Sequence, residues 1–170
     1  MVRFFYLALF LFPLFSSAQK ELPYQLGEYS SFDVSFGGIK VGSADMEILT
    51  DTIIDSTSVF HIVGKGKTAP FFDWFFKVRD RYESYFDKEK LIPYRFIRNI
   101  DEGGHTKNIE ITFDQSNNKA TVFNKKHNRS QIVDTESNIQ DMVSTFYFLR
   151  NNLDISSLTV DDEIRTNMFF

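Results

Sequence analysis

The sequence predicts a mainly β protein of the α+β class, with a curled antiparallel sheet that forms an open, flattened β-barrel. Three observations support this prediction. Most of the chain after its first residues alternates apolar and polar side chains, which is typical of half-buried strands. Gly-Gly pairs and short polar runs separate these segments at hairpin spacing. One late segment instead repeats its apolar residues with the 3.6-residue period of a helix.

Seven or more strands are expected, and hairpins connect most of them. The predicted strands comprise residues 29–36, 39–49, 58–67, 77–87, 93–101, 105–114, 119–124, 131–134 and 158–170. The pairs Gly37-Gly38 and Gly103-Gly104 are predicted hairpin turns. Gly42, inside the second strand, indicates a β-bulge or a close backbone approach. Polar loops are predicted at residues 51–56 and 125–130.

A single long helix is predicted at residues 138–152. Ser137 and Gln140 have the spacing of a capping box, which indicates where the helix begins. Asp141 in the first turn and Arg150 in the last turn have the charges that the helix dipole favours. The apolar stripe consists of Ile139, Met142, Val143, Phe146, Leu149 and Leu153. We expect this stripe to pack on the sheet or to close one end of it.

The composition limits the classes of function. The 170 residues suggest one domain, and 42% hydrophobic residues are enough for one core. A net charge of -4 argues against a nucleic-acid-binding protein, which normally has a basic face. The chain contains no cysteine, which excludes disulfides, thiolate nucleophiles and most structural zinc sites.

The first 18 residues have the pattern of a secretory signal peptide. Arg3 supplies the positive start, residues 4–15 form the apolar run, and Ser16-Ser17-Ala18 places small residues before the cleavage point. The apolar run is shorter than the roughly 20 residues that a membrane span needs. We therefore predict cleavage after Ala18 and a periplasmic or secreted protein with no transmembrane span in the mature chain.

The mature chain, residues 19–170, is predicted to form one β-barrel-like domain. Its last predicted strand finishes with Met168-Phe169-Phe170. An apolar strand edge without a partner is an aggregation hazard for a complete protein. We therefore expect the natural domain to continue past residue 170.

The densest aromatic stretch follows Ala69-Pro70. Pro70 suits the first turn of a short helix at the mouth of the sheet. In one interpretation the rings fill the core at that mouth. In the other, they line an apolar cavity or face lipid. The candidate ligand-binding residues are Phe71, Phe72, Trp74, Phe75 and Phe76.

The sequence contains no motif that predicts an enzyme, a metal site or a cofactor. Residues 64–68 (GKGKT) resemble the end of a phosphate-binding loop, but His61 occupies the position of its first glycine. His61, His105 and His127 do not have a metal-ligand spacing. No G-x-S-x-G segment, which would place a serine in a nucleophile elbow, occurs.

Charged residues cluster just after the aromatic stretch. Asp80 and Glu83 fall on opposite faces of a predicted strand, so they are not a matched acid and base. We interpret Arg79, Asp80, Arg81 and Glu83 as cross-strand ion pairs on the outside of the sheet rather than as a ligand site.

Several short motifs resemble a family of exported bacterial proteins known as domain of unknown function 3108. The matching stretches are Gly27-Glu28-Tyr29, Gly37-Gly38, Gly42, residues 78–84 (VRDRYES), Leu91, Pro93 and residues 141–150 (DMVSTFYFLR). Their order and spacing cover nearly all of the mature chain. The polar and aromatic motif positions that we single out are Asp80, Arg81, Glu83, Asp141, Tyr147 and Arg150.

The resemblance implies an open or flattened antiparallel β-barrel with helices at its mouth, similar to the periplasmic carriers that shuttle lipoproteins. It also implies that this chain corresponds to the N-terminal two thirds of the family domain. The family has no established activity, so its residues are carried over as motif positions only. From the residues themselves, we expect Asp141 to serve the helix start and Arg150 the helix end.

Two functions follow as hypotheses. The first is a non-enzymatic periplasmic protein that binds or carries an apolar ligand, such as a lipid or acyl chain, and it predicts an open cavity lined by Phe and Trp74. The second is a structural or interaction module of the cell envelope that binds a protein or polysaccharide. It predicts a filled core and an exposed aromatic or edge-strand patch.

Overall fold

The computed structural model describes residues 22–170. The predicted signal peptide and the cleavage point after Ala18 lie outside the described residues. The described chain forms β1 (Tyr29–Phe36), β2 (Ile39–Ile54), β3 (Thr57–Thr68), β4 (Val78–Asp87), β5 (Pro93–Glu102), β6 (His105–Asp114), β7 (Lys119–Asn124), β8 (Arg129–Asp134) and α1 (Met142–Asn152). Two short 3-10 helices occur at Phe72–Trp74 and Ile155–Ser157.

The eight strands form one antiparallel sheet in the order in which they occur along the chain. Each strand pairs with the next, so every connection within the sheet joins neighbouring strands. β1 and β8 lie at the two edges, and the sheet is not closed. The predicted mainly β class, with an open antiparallel sheet and one helix, is confirmed.

The predicted irregularity at Gly42 is also confirmed. The pairing of β1 with β2 shifts next to this residue, because Gly42 pairs with Val34 while Ser35 pairs with Lys40. A Cβ atom on Gly42 would lie 2.6 Å from the carbonyl oxygen of Lys67. Only glycine therefore lets β2 and β3 approach each other at this point.

The core lies on the face of the sheet that α1 covers, which we call the inner face. One row of this face runs across five adjacent strands through Ile48, Ile62, Ser84, Phe96 and Ile111. Its apolar members pack with residues of α1 and of the N-terminal segment. The other core residues are Tyr24, Phe60, Phe86, Phe113, Ala120, Ile139, Val143 and Tyr147. The core beneath the helix is therefore filled with side chains.

The predicted start of the helix is wrong. α1 begins at Met142, and its capping box is formed by Asp141 and Ser144 rather than by Ser137 and Gln140. Asn138 has a positive φ of 56°, and Gln140 pairs with Met168 as an isolated parallel bridge. These two features hold the preceding residues out of a helical conformation.

The predicted last strand at residues 158–170 is also wrong. The segment contributes only the bridge at Met168, because Asp161 has a φ of 77° and a turn closes between Thr159 and Asp162. Phe169 nevertheless packs on the core, with its ring centroid 6.4 Å from that of Phe113. The loop predicted at residues 51–56 is shorter than expected, because β2 continues to Ile54.

Candidate functional site

The five predicted aromatic residues lie together in the connection between β3 and β4. We call residues 71–76 the aromatic turn. A short 3-10 helix forms its centre, as the sequence predicted, but none of the residues in that helix is buried. Phe71 is 74% exposed, Trp74 85%, Phe75 65% and Phe76 55%. The interpretation in which these rings fill the core is therefore wrong.

A polar clamp holds the aromatic turn from within. Asp73 accepts hydrogen bonds from the Thr68 hydroxyl and from the Arg79 guanidinium, whose Nη1 lies 3.0 Å from Oδ1. Thr68 in turn accepts a 3.0 Å hydrogen bond from the backbone N–H of Val78. The hydrogen bonds from Arg79 and then Thr68 hold the pKa of Asp73 below its usual value. The clamp ties the end of β3 to the start of β4.

Backbone contacts brace the aromatic turn on both sides. The Ala69 N–H donates to the Val41 carbonyl of β2, and the Gly103 N–H donates to the Lys77 carbonyl, each at 2.8 Å. Gly103 has a φ of 61°, and a Cβ atom there would lie 2.5 Å from the Phe76 ring. The ring therefore lies directly over the glycine of the β5–β6 hairpin. These contacts attach the aromatic turn and its flanking residues to β2 and to the β5–β6 hairpin.

Two further apolar side chains are exposed at this end. Phe36 is 81% exposed and Ile39 is 62% exposed, and the β1–β2 hairpin places them next to each other as paired residues. The hairpin is adjacent to the aromatic turn, because Val41 accepts the hydrogen bond from Ala69. We call the aromatic turn together with Phe36 and Ile39 the aromatic end. Its exposed side chains come from two separate connections.

The pockets described for this chain lie elsewhere. Four surface pockets have volumes from about 310 to about 540 Å3, and none of the four is lined by a residue of the aromatic turn. The most enclosed of them lies near the β4–β5 turn and includes Tyr94, Phe113 and Gln115. The apolar-ligand hypothesis predicted an open cavity lined by Phe and Trp74, and none of these four pockets is such a cavity. The rings instead form an exposed surface.

Two of the motif positions, Arg81 and Glu83, lie on the outer face of the sheet. Glu83 accepts a 2.7 Å hydrogen bond from Arg81 Nε, and its other oxygen lies 2.6 Å from Nε2 of His61. Burial raises the pKa of Glu83, but the hydrogen bonds from Arg81 and His61 outweigh it and lower the pKa overall. His61 also stacks on Tyr85 of β4, with ring centroids 4.5 Å apart. This arrangement is a satisfied ion-pair cluster.

The prediction of outer-face ion pairs fails for the other two residues. Asp80 belongs to the inner face, because it shares the alternation of Ser84, whose hydroxyl contacts Asp141 of the helix cap. Asp80 accepts hydrogen bonds from the Tyr82 hydroxyl at 3.3 Å and the Asp101 N–H at 3.2 Å. Burial raises its pKa. Arg79 pairs with Asp73 of the aromatic turn instead.

Asp141 serves the helix start, as predicted, but it does so as a buried N-cap. Its Oδ1 accepts hydrogen bonds from the N–H groups of Val143 at 2.8 Å and Ser144 at 2.7 Å. Its Oδ2 accepts a 2.6 Å hydrogen bond from the Ser84 hydroxyl of β4. Burial raises the pKa of Asp141 to about 6, although these hydrogen bonds oppose the increase. One carboxyl group thus joins the helix start to the centre of the sheet.

Arg150 serves the helix end and also fastens the N-terminal segment. Its guanidinium binds both oxygens of Glu28 and donates a 2.9 Å hydrogen bond to the Pro23 carbonyl. It lies 5.6 Å from the ring centroids of Tyr24 and Tyr147. Burial raises the pKa of both tyrosines to about 12. The motif positions Glu28, Tyr147 and Arg150 therefore form one structural cluster.

Sequence reasoning did not identify Ser84 or His61 as partners of motif residues. Ser84 is fully buried beneath the helix start, and its sequence signals are its place in the alternation of β4 and at the end of the motif at residues 78–84. His61 has no metal-ligand spacing in the sequence, and in the structure it contacts Glu83. Among residues 22–170, no group of three or more His, Asp or Glu side chains is arranged to hold a metal ion.

The family of the chain follows from its sequence. Residues 31–170 match a family model described as a protein of unknown function, DUF3108. The chain belongs to this family. No curated protein and no solved structure matches the chain. The described part of this DUF3108 protein also contains no helix that is long and apolar enough to cross a membrane.

Proposed function

We propose that this DUF3108 protein is exported to the cell envelope and binds an apolar ligand, such as a lipid or acyl chain, through the aromatic end. The observation that carries the proposal is the exposure of four rings in one short turn, from 55% for Phe76 to 85% for Trp74. An aromatic side chain buries about 150–250 Å2 when it is covered. Four such rings exceed the isolated apolar exposure that is ordinary for a monomer.

The fixed geometry of the turn supports binding rather than incidental exposure. The clamp of Thr68, Asp73 and Arg79 and the backbone braces to Val41 and Gly103 hold the turn in one conformation. A surface that is ordered before binding loses less conformational entropy when a ligand covers it. The surface position of the rings supports contact with a ligand from outside, rather than enclosure of the ligand in a cavity.

The test is native mass spectrometry with lipid extraction on protein that has been exported to a periplasm and purified without detergent. The proposal predicts a co-purifying lipid or acyl chain that is lost in the Trp74→Ser/Phe75→Ser double variant. Ile132→Ser is the matched control, because Ile132 is 69% exposed on β8, away from the aromatic end. A clean apo mass together with no binding of added lipid would contradict the proposal.

A second candidate function is an interaction module that binds an envelope protein or a polysaccharide. Three observations favour it: the core is filled, an aromatic patch is exposed, and the sheet has two open edges, β1 and β8. β1 carries exposed apolar side chains at Tyr29, Val34 and Phe36. An extended partner strand could add to such an edge. Crosslinking from a photoreactive residue placed at Val34 would detect a protein partner there, and a Ser35→Pro variant would abolish strand addition.

A further inference from the structure

The exposed side chains of the aromatic end lie in connections at one end of the sheet. Phe36 and Ile39 come from the β1–β2 hairpin, and Trp74 and Phe75 come from the β3–β4 connection. The four described pockets do not include them. An exposed cluster of this kind can insert into a soft apolar phase, whereas it cannot enclose a separate small molecule.

Exposed cations lie immediately behind the rings. Lys67 is the penultimate residue of β3, and Lys77 directly precedes β4, so the two lysines flank the aromatic turn in sequence and in space. Both are exposed, and neither takes part in the ion pairs formed within residues 22–170. Trp and Phe side chains at a tip, with Lys behind them, are typical of proteins that dock at a membrane interface.

Two acidic groups at this end already have basic partners. Asp73 is paired with Arg79, and Asp33 is paired with Lys40 at 2.5 Å. Asp101 and Glu102 lie beside the start of β4, where they pair in register with Arg79 and Val78. No ion pair within residues 22–170 joins these two acids or Asp45 to Lys67 or Lys77. The lysines that flank the aromatic turn are therefore available to anionic headgroups, although the whole chain has a net charge of -4.

We infer that the aromatic end docks onto the surface of a phospholipid bilayer that contains anionic headgroups. Trp74, Phe75 and the neighbouring rings enter the interfacial region, and Lys67 and Lys77 contact headgroup phosphates. This inference rests on the proposed function and specifies its partner as a bilayer surface. The strands stand behind the docked end, and the clamp formed by Asp73 keeps the rings directed towards the membrane.

The chain contains its own reporter for this inference. Trp74 is its single tryptophan, so fluorescence excited at a wavelength that tyrosine does not absorb reports on the aromatic turn alone. The purified protein is titrated with vesicles of phosphatidylethanolamine and phosphatidylglycerol, and separately with vesicles of phosphatidylcholine. We expect a blue shift of Trp74 emission with the anionic vesicles, quenching by lipids brominated near the headgroup, and co-sedimentation with the vesicles.

Variants separate the apolar and the electrostatic contributions. Phe75→Ser should lower the partition coefficient by about tenfold, since it removes one ring from the interface. Lys67→Glu/Lys77→Glu should lower binding to anionic vesicles by at least about tenfold and leave binding to phosphatidylcholine unchanged. Ile132→Ser and Lys90→Glu are the matched controls, because both residues are exposed and lie outside the aromatic end.

The outcomes distinguish this inference from the proposed function. Vesicle binding that Phe75→Ser weakens and Ile132→Ser does not supports both. If the protein carries a co-purifying lipid but does not bind vesicles, the bilayer inference is overturned and the proposed function stands. If it neither binds vesicles nor carries a lipid, both are overturned. Equal vesicle binding by Phe75→Ser and the wild-type protein also overturns the bilayer inference.

Discussion

Under α1, rings are covered and polar groups connect the helix to the sheet, whereas at the aromatic end rings face solvent and polar groups hold them there. Tyr147 is fully buried, and its neighbour Arg150 binds the N-terminal segment. Trp74 is 85% exposed, above a clamp built from Asp73 and Arg79. In both regions hydrogen bonds fix the position of aromatic residues, but only under α1 do the aromatic rings themselves pack in the core.

The stability of the fold therefore depends on the aromatic side chains of the helix region but not on those of the aromatic end. In the helix region, Asp141, Ser84 and Tyr147 are buried. Removing the side chain of Asp141 or Ser84 leaves its hydrogen-bond partner unsatisfied, and removing the Tyr147 ring leaves a cavity. At the aromatic end, removing a ring exposes no buried group. Stability should therefore be sensitive to changes under the helix and insensitive to changes in the rings, which are free to serve binding.

Among the polar residues, the largest expected loss of stability comes from Asp141→Ala. The change leaves the Val143 and Ser144 N–H groups and the Ser84 hydroxyl without their carboxylate acceptor. We expect the free energy of unfolding at pH 7 to fall by about 3 kcal/mol, measured by denaturant titration.

The matched control for this change is Asp154→Ala. Asp154 caps the short 3-10 helix at Ile155–Ser157 with the same type of hydrogen bond, but no residue of that helix is buried. Its loss should cost within about 0.5 kcal/mol. A similar cost for both variants would show that burial of the Asp141 cap does not anchor the helix.

A pH dependence should follow from the same carboxyl group. Asp141 has a pKa of about 6 in the folded protein, against an ordinary value of 3.8. Below pH 3.8 it is protonated in both states, so its protonated form contributes fully to stability. As the pH rises towards 6, the unfolded state releases the proton first, and this contribution is lost. Relative to Asp141→Asn, the free energy of unfolding should fall by about 2–3 kcal/mol between pH 4 and pH 7.

The comparison is made at matched ionic strength, with equilibrium unfolding curves at each pH. Asp141→Asn retains the size of the side chain and removes its titration together with one acceptor oxygen. The loss of the acceptor does not depend on pH, and the other carboxyl groups cancel in the difference. The prediction is contradicted if the stability of the wild-type protein relative to Asp141→Asn stays constant or increases as the pH rises, because a raised pKa requires it to fall.

Much of the sheet could be predicted because strand alternation is a local signal. β1, β6 and β7 have their predicted bounds, and the β5–β6 turn forms at its Gly-Gly pair. The helix start was mispredicted because it depends on a long-range bridge between Gln140 and Met168, and the last strand because a turn at Asp161 interrupts it. Local periodicity does not show which distant residue pairs with Gln140.

The candidate site divides in the same way. The aromatic turn could be predicted, because a run of aromatic residues is a local feature of the sequence. Whether those side chains are buried could not be predicted. That depends on the clamp of Thr68, Asp73 and Arg79 and on where α1 lies. The partners of the motif residues were equally hidden, because Ser84 is 57 positions from Asp141 and Glu28 is 122 positions from Arg150.

An intermediate effect is expected from Arg150→Ala. The guanidinium binds Glu28 through two hydrogen bonds and covers the rings of Tyr24 and Tyr147. We expect a loss of about 1–2 kcal/mol in the free energy of unfolding, with a coupling to Glu28→Gln of about 1 kcal/mol in a double-mutant cycle. Arg165→Ala is the control, because its ion pair with Glu163 is exposed and should contribute almost nothing.

This variant also tests whether Arg150 acts beyond structure. The guanidinium lies in the helix region rather than at the aromatic end, so lipid and vesicle binding should be unchanged once the fraction of folded protein is taken into account. Loss of binding in a fully folded Arg150→Ala protein would show that the helix region contributes to the ligand site.

The smallest effect on stability is expected where the effect on binding is greatest. Trp74→Ser/Phe75→Ser should change the free energy of unfolding by no more than about 0.5 kcal/mol, because both rings are already in solvent in the folded protein. Phe86→Ala, which removes a fully buried ring of the same chemistry, should cost about 3–5 kcal/mol. Circular dichroism melts of the three proteins would measure the contrast directly. A large loss in the free energy of unfolding of the Trp74→Ser/Phe75→Ser variant would mean that these rings contribute to folding. The division of roles between the two regions would then fail, because a ring that stabilises the fold is not exposed for a ligand alone.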